Sequence, residues 1–368
     1  MSKRFDKRVE YAVEQLWIKR NKAEGARAKQ MLREAAEEGN ADAYYFLGRC
    51  CLGDCFIDPV FGFEENEYEG IEYFRKSIEM GSAVGMFASM RLAGFIPPDG
   101  TFVHPPYYSL KEIWDEVEAL ANDGQSFCQL LIGNAYYFLD AIKFLQVQNV
   151  HDGVIRGYMY KAMQYYDMSI ANGNFFVIQN YLNIVSSGEH GMPIDRQKEQ
   201  ALIDIGAENG VGFCELRKGD SYGIDDAQTA LDYYQRALEH GDSRAHGRIG
   251  KVYFYGGRGV EKDYYKAMEH FLIAREQSNW VSDMLGTCYL KGWGTAVNYA
   301  AAKREFEEYP GERLSAIGLG EIYAYGLGVP ADIKKGLQYW DKFPGDIRVI
   351  ENKRNFKKTL FGWKCKKA

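Results

Sequence analysis

The sequence predicts an all-α protein, a right-handed α-solenoid superhelix of about eight antiparallel helix-pair repeats. Two observations lead to this prediction. A short pattern of Leu or Ile, Gly and Tyr recurs at intervals of 34 and 36 residues in the C-terminal half. Each copy is followed by a second apolar-periodic stretch that runs towards a turn or a glycine. One such helix pair is too small to bury its own apolar face, so successive pairs stack on one another.

The clearest copies of the pattern lie between residues 243 and 342. Each begins with Ile or Leu followed directly by glycine, and a tyrosine comes three residues after the glycine. The three copies are Ile249-Gly250-Tyr253, Leu285-Gly286-Tyr289 and Leu319-Gly320-Tyr323. On one side of a helix, glycine allows a second helix to approach closely and tyrosine fills the adjoining gap.

The connection between the two helices of a repeat also has a recurring sequence. Gly-x-Gly-Val occupies residues 257–260 and 326–329, where glycine can adopt the positive φ of a tight turn. Asp263 and Asp332 follow, and an aspartate side chain can cap the first free amides of a helix. The second helix then supplies a small residue and an aromatic residue to the core.

The pattern predicts eight helix pairs with additional helices at both ends. First helices are expected near 41–53, 82–94, 126–140, 175–187, 211–219, 243–256, 281–292 and 313–326. Second helices are expected near 67–80, 109–122, 157–172, 194–208, 226–240, 262–277, 298–308 and 331–342. An N-terminal helical pair or cap is expected over 1–40, and the solenoid over 41–342. Residues 343–368 are expected to form a basic C-terminal capping helix, near 346–361, and a tail. Irregular insertions are expected near 54–67, 95–108 and 141–156.

The repeated residues resemble the Sel-1-like repeat family, a branch of the tetratricopeptide-like α-solenoids. The resemblance is strong across 243–342, moderate across 27–81 and 126–241, and poor across 82–122. The chain departs from the family pattern at its insertions, at Thr295 where valine is expected, and at Gly219, which is expected to close a shortened first helix. The resemblance implies protein–protein scaffolding or adaptor work.

Charge is unevenly distributed along the 368 residues. The formal net charge is −6, yet seven Lys/Arg and one acidic residue lie between 351 and 368, so this tail carries +6 and the remainder −12. An acidic body argues against general nucleic-acid binding. The basic tail could contact an anionic surface, with Phe361 and Trp363 beside its lysines, or be a solvated terminal helix.

The compartment is expected to be the cytoplasm, and the protein is expected to be bacterial. The N-terminal residues contain no apolar stretch of signal-peptide length, and no window is long and apolar enough to cross a membrane. The seven cysteines are odd in number and irregularly spaced, which favours reduced thiols.

The residues that carry catalytic or metal chemistry form no recognised motif. Cys50, Cys51 and Cys55 lack the Cys-x-x-Cys spacing and the second ligand pair of a zinc site. Glycine-rich turns lack the lysine and hydroxyl residue of a phosphate loop. We therefore expect no metal, no cofactor and no enzyme. An enzyme within the irregular stretch 82–156, which contains His104, Trp114, Asp115 and His151, is the alternative.

The concave face of the solenoid is the predicted binding surface. The resemblance implies that first helices line this face at set offsets from the Leu-Gly pair. Carried onto this chain, those offsets give Tyr45, Arg49, Asn134, Tyr137, Phe138, Lys251, Phe254, Tyr255, Lys291, Glu321 and Tyr325. Aromatic rings mixed with charged and amide groups suit a surface that holds a peptide. The alternative is that several of these rings pack between repeats.

The predicted function is that of a scaffold or adaptor that binds a partner protein or peptide on its concave face. A secretion-associated regulator, an immunity protein or a host-directed effector that acts by binding is the alternative within the same class. The residues do not identify the partner.

Overall fold

The computed structural model describes residues 5–19, 21–52, 66–91, 106, 109–277, 281–359 and 362–366. The chain divides into two units, unit 1 (Met1–Asn209) and unit 2 (Gly210–Ala368). Each unit is built from helix pairs.

Unit 1 contains eleven α-helices in its described ranges. They are α1 (Lys7–Val13), α2 (Gly25–Glu37), α3 (Ala41–Cys51), α4 (Glu67–Glu79), α5 (Ala83–Arg91), α6 (Leu110–Asn122), α7 (Ser126–Tyr137), α8 (Ala141–Phe144), α9 (Asp152–Ala171), α10 (Ile178–Ser187) and α11 (Arg196–Glu208). A π-helical turn (Glu14–Ile18) extends α1, and short 3-10 turns occupy Lys22–Glu24, Phe175–Val177 and Glu189–Gly191.

Unit 2 contains nine α-helices and one β-hairpin in its described ranges. The helices are α12 (Gly212–Tyr222), α13 (Ala227–Glu239), α14 (Ala245–Tyr255), α15 (Tyr264–Glu276), α16 (Ser282–Lys291), α17 (Tyr299–Glu308), α18 (Arg313–Tyr325), α19 (Ile333–Trp340) and α20 (Ile347–Arg354). Strands β1 (Phe356–Thr359) and β2 (Gly362–Cys365) pair antiparallel.

The helices pack in chain order within each unit, which confirms the predicted solenoid of helix pairs. The pairs of unit 1 are α3 with α4, α5 with α6, α7 with α9, and α10 with α11. Those of unit 2 are α12 with α13, α14 with α15, α16 with α17, and α18 with α19.

Capping residues start the second helices where the sequence predicts them. The Asp263 carboxylate accepts hydrogen bonds from the amides of Tyr265 (3.1 Å) and Lys266 (3.0 Å). The Asp332 carboxylate accepts from the Lys335 amide at 2.9 Å. These contacts satisfy amides that have no partner within the helix, so the turn and the helix start are fixed together.

A glycine on the first helix faces an aromatic ring on the second in six of the eight pairs. A Cβ placed on Gly250 would lie 2.6 Å from Cδ1 of Phe271, and one on Gly286 would lie 2.6 Å from Cε1 of Phe306. The other pairs are Gly48 with Phe74, Gly133 with Tyr166, Gly219 with Tyr234 and Gly320 with Trp340. Each ring is less than 5% exposed, so it fills the space that the missing side chain leaves.

The prediction that Gly219 closes a shortened helix is wrong. Gly219 lies inside α12, which continues to Tyr222. A Cβ on Gly219 would lie 2.5 Å from Cε1 of Tyr234, so this glycine is retained for close packing rather than for helix termination. The Leu-Gly pair is replaced here by Lys218-Gly219, which hid the register of this repeat in the sequence.

The prediction of a C-terminal helix over 346–361 is wrong beyond α20. Phe356 lies opposite Cys365 in the hairpin, and Phe356 is 4% exposed against Tyr325 and Trp340. Lys357 and Lys364 pair on the other face of the hairpin and are exposed. Lys358 and Trp363, the next pair on the face of Phe356, are also exposed, so the hairpin is buried only around Phe356 and Cys365.

The predicted insertions have different outcomes. Most of 54–67 and 95–108 lies outside the described residues. Residues 141–156 contain α8 and the start of α9, which begins at Asp152, before the predicted position. Phe144 of α8 is 1% exposed and stacks on Phe87 at 4.4 Å between ring centroids, so this insertion contributes to the core.

The glycine–aromatic contact predicts a difference between two substitutions in one helix. Gly250→Ala places a methyl group against Phe271, and we expect a loss of about 1–3 kcal/mol of unfolding free energy. Gly247→Ala, in the same helix, meets its nearest atom, Cγ1 of Val281, at 3.4 Å, so this control is expected to keep or slightly raise stability. Urea unfolding followed by far-UV circular dichroism measures both. Equal losses would contradict the packing argument.

Candidate functional site

A cavity of about 560 Å³ in unit 2 lies between α14, α16, α18 and α20 and is here called the unit 2 groove. Its walls combine aromatic, apolar and charged side chains, among them Tyr255, Trp293, Lys291, Glu321 and Arg348. First helices of three successive repeats supply most of these residues because equivalent faces of stacked pairs lie side by side.

Aromatic rings form one wall of the unit 2 groove. Tyr264 and Trp293 are stacked, with 4.5 Å between ring centroids and 13° between ring planes. The Phe254 ring meets Trp293 edge-on at 5.7 Å and Tyr255 edge-on at 4.9 Å. Tyr255 is 46% exposed, while the rings beneath it are held in place by these contacts. The wall therefore offers a rigid aromatic surface at low conformational cost.

Charged and amide side chains also line the unit 2 groove. Lys291 forms an ion pair with Glu321, and the Asn352 amide donates to the other carboxylate oxygen of Glu321 at 3.3 Å. The Arg348 guanidinium donates to Asp346 at 3.1 and 3.0 Å, and this contact holds the pKa of Asp346 below its usual range. These paired groups can offer hydrogen bonds to a ligand without leaving an isolated buried charge.

The structure brings four of the predicted site residues to the unit 2 groove. They are Phe254, Tyr255, Lys291 and Glu321. Tyr325 does not line the groove but contacts a residue that does. Its hydroxyl donates to Asn352, a groove residue, at 3.1 Å and accepts from Asn355 at 2.8 Å. Lys251 lines a separate cavity of about 420 Å³ in the same unit.

Three predicted residues of unit 1 lie together on α7. The Asn134 side-chain oxygen accepts from Tyr166 at 2.8 Å and from Asn180 at 2.9 Å. The Tyr137 hydroxyl donates to Glu189 at 2.7 Å, and burial raises the pKa of Tyr137 to about 12. Phe138 is 53% exposed. The first two side chains therefore join α7 to neighbouring elements, and Phe138 is the one that faces solvent.

Three predicted aromatic residues belong to the core. Tyr45 is 2% exposed, Tyr137 is 7% exposed, and Phe254 is 5% exposed although it lines the unit 2 groove. Arg49 donates to the Tyr45 hydroxyl at 3.1 Å and lies over the Phe127 ring at 5.2 Å. For Tyr45 and Phe254, the alternative of packing between helices accounts for most of the ring.

The residues named for an enzyme each have a structural role where the structure describes them. Trp114 is 1% exposed, and Asp115 forms an exposed ion pair with Lys111 at 2.7 Å. The His151 ring accepts a hydrogen bond from the Gly153 amide at 3.1 Å and caps α9. His104 lies outside the described residues. In the described ranges, no three His, Cys, Asp or Glu side chains group as metal ligands.

Sequence reasoning missed several groove residues. Trp293 lies in the turn after α16, and Arg348 and Asn352 lie on α20, which the sequence predicts as a capping helix. The sequence signal for Trp293 is its position between Gly292 and Gly294. Its ring packs on Phe254 and Tyr264 of the preceding repeat.

The repeat is confirmed by comparison with known proteins. The sequence profile of the Sel1 repeat matches residues 41–82, 206–242, 243–279, 284–304 and 314–343. The chain carries Sel1 repeats. The Sel1 repeats at 243–279, 284–304 and 314–343 contain most of the residues that line the unit 2 groove.

Curated relatives of the Sel1 repeats are larger proteins. The chain is 25% identical over 235 residues to the ERAD-associated E3 ubiquitin-protein ligase component HRD3B of Arabidopsis thaliana, covering 61% of the chain and 37% of the relative. It is 27% identical over 119 residues to chitin synthase regulatory factor 1 of Schizosaccharomyces pombe, covering 30% of the chain and 25% of that protein. The chain thus spans only about a third or less of their lengths.

Solved structures with the same repeat are similar to this chain at low identity. A Sel1 repeat protein from Oxalobacter formigenes has a TM-score of 0.46 and 21% identity, covering 88% of this chain and 89% of its own. A protective antigen of uropathogenic Escherichia coli with an SLR fold has a TM-score of 0.42 and 19% identity, covering 89% of this chain and 82% of its own.

No described helix of this chain has the length and apolarity needed to cross a bilayer.

The described cysteines are predicted to differ sharply in thiol reactivity. Cys50, Cys128, Cys214 and Cys288 are buried, and burial raises the pKa of the last two to about 12. Because the thiolate is the reactive form, iodoacetamide at pH 8 should label Cys365, which is partly exposed, well before these four. Peptide mass spectrometry after native labelling measures the order. Early labelling of Cys214 or Cys288 in folded protein would contradict it.

Proposed function

We propose that this protein is an adaptor that binds a segment of a partner protein in the unit 2 groove, and that it catalyses no reaction. The observation that carries the proposal is the groove itself, a cavity of about 560 Å³ that aromatic and charged side chains line together. Such a surface offers apolar area for an anchor side chain and hydrogen bonds that set its register.

The side chains that line the unit 2 groove are already held in position by their contacts, which supports a binding role. Tyr255 is exposed, while Tyr264 and Trp293 are stacked behind it, so the surface is formed before a partner arrives. A surface that needs little reorganisation loses less entropy on binding. The Lys291–Glu321 and Arg348–Asp346 pairs are likewise in place.

The names of the relatives are consistent with this role. One is a component of a ubiquitin-protein ligase and another is a regulatory factor of chitin synthase, and both names describe proteins that work with another protein. A role as a secretion-associated regulator, an immunity protein or a host-directed effector, a cytoplasmic location and a bacterial source remain narrower proposals within the same class.

The binding role is tested by photocrosslinking from the groove. In one variant, a photoreactive phenylalanine analogue replaces Tyr255. In the control variant, the analogue replaces Tyr265, which is 78% exposed on α15. Irradiation in extracts of the source cell is expected to crosslink discrete proteins to position 255. None of these proteins should be crosslinked to position 265. Mass spectrometry identifies the crosslinked segment.

The same segment then provides a quantitative test. Tyr255→Ala is expected to weaken its binding by about tenfold or more, whereas Tyr265→Ala leaves the dissociation constant unchanged within about twofold. Isothermal titration calorimetry with the full chain measures both. Identical crosslinks from the two positions, or equal affinities of the two variants, would refute the groove as the binding site.

A second candidate function concerns the C-terminal hairpin. Lys357 and Lys364 lie directly opposite one another on its exposed face, and like charges in this arrangement repel. An anionic surface would relieve that repulsion. The fraction of protein that sediments with phosphatidylserine vesicles at low salt should decrease when both lysines become glutamine. Lys266→Gln on α15 is the control for loss of one positive charge. Binding that is unaffected by the double substitution would remove this candidate.

A further inference from the structure

We infer that unit 2 also holds a carboxylate of its partner segment, on the Lys251 ammonium in a cavity beside the unit 2 groove. This inference rests on the proposed function, because the segment in the groove supplies the carboxylate. The cavity has a volume of about 420 Å³ and is here called the basic cavity. Its charged lining consists of Arg217, Arg244, Arg248, Lys251 and Asp220.

Two of the arginines in the basic cavity are already matched by carboxylates. The Arg244 guanidinium donates to Asp242 at 2.8 and 2.5 Å. The Arg248 guanidinium donates to Asp220 at 2.8 and 3.3 Å. These pairs have the two-point geometry that arginine and carboxylate prefer, so they fix the walls of the cavity and leave little charge to attract a ligand.

Lys251 is in a different state. It is partly buried, and among the described residues no carboxylate lies within ion-pair distance of its ammonium. Burial and the neighbouring Arg248 lower the pKa of Lys251, while Asp283 and Asp220 act on it in the opposite sense from a distance. A partly desolvated cation of this kind gains more from a contacting anion than an exposed lysine does.

The balance of charge around Lys251 favours a carboxylate over a phosphate. Asp220 and Asp283 already offset part of the positive charge near the ammonium. A side-chain carboxylate adds one negative charge, which the remaining excess can accommodate. A phosphate group carries about −1.5 to −2 at neutral pH, so the two aspartates repel it more strongly than they repel a single carboxylate.

The position of Lys251 connects the basic cavity to the unit 2 groove. Lys251 and Tyr255 lie four residues apart on α14, so their side chains share one face and are separated by about 6 Å along the axis. Tyr255 lines the groove. A segment with an apolar anchor against Tyr255 therefore reaches Lys251 with an acidic residue about one helical turn, or two extended residues, away.

The test is a selection of 12-residue peptides from a random displayed library on the full chain. We expect enriched peptides to combine an apolar or aromatic residue with an Asp or Glu at a constant spacing. Selection on the Lys251→Gln variant should keep the apolar preference and lose the acidic one. Selection on Lys251→Glu should replace the acidic residue by Lys or Arg at the same spacing.

The affinity of an enriched peptide provides the quantitative measurement. Lys251→Gln is expected to weaken the peptide by about tenfold, and replacement of the peptide's own Glu by Gln should have no further effect in that variant. The matched control is Arg258→Gln, which removes one exposed positive charge from the turn after α14 and should leave affinity unchanged. Circular dichroism confirms that each variant is folded.

The outcomes separate the two proposals. Peptides with an apolar preference but no acidic residue, or an acidic preference that survives in Lys251→Gln, would overturn the inference and leave the adaptor function standing. A library that yields no enriched peptide on the wild-type chain would overturn both. Displacement of the peptide by millimolar inorganic phosphate in the wild type and not in Lys251→Gln would overturn the choice of carboxylate.

Discussion

The helix pairs of this protein depend on a contact between a glycine and an aromatic ring. Where the first helix has no side chain, the ring of the second helix occupies that space, as Trp340 does beside Gly320. Trp340 also donates a hydrogen bond to the Ile317 carbonyl at 3.1 Å. The contact sets both the distance and the rotation of the two helices. Because the rotation is fixed, the opposite side of each first helix is free to carry variable residues.

Buried carboxylates add a second constraint on the arrangement of helices in unit 2. Glu305 is 4% exposed and accepts from Arg275 at 3.0 Å, which joins α17 to α15. Glu215 is fully buried and contacts Arg236 at 2.8 Å and His240 at 2.7 Å, which joins α12 to α13. A buried carboxylate without its cation costs several kcal/mol, so such pairs disfavour any other register between helices. Within unit 2, these ion pairs therefore fix how neighbouring helices are placed against one another.

Much of this architecture could be predicted from local residue patterns, and the exceptions have physical causes. Helix pairs were predicted because glycine, tyrosine and the capping aspartate are required at fixed positions along the chain. The hairpin could not be predicted in this way, because Phe356 is positioned by contacts with Trp340 and Tyr325 rather than by its neighbours in the sequence. Gly219 was misinterpreted for a similar reason, since its role depends on a ring in another helix. Among the candidate site residues, the offsets that the resemblance implies place Lys291 in the groove, but whether a ring is exposed depends on the neighbouring repeat, as Phe254 shows.

The hairpin that follows α20 covers apolar side chains of the helices before it. Trp340 of α19 and Val349 of α20 are fully buried in one cluster with Phe356 of the hairpin. Phe356 and Cys365 lie on the inner face of the hairpin, and its outer face presents lysines to water. A repeat array left without such a cover would expose an apolar end that is complementary to another array's end. The hairpin thus shields this apolar surface of unit 2 from edge-to-edge association with another copy of the chain.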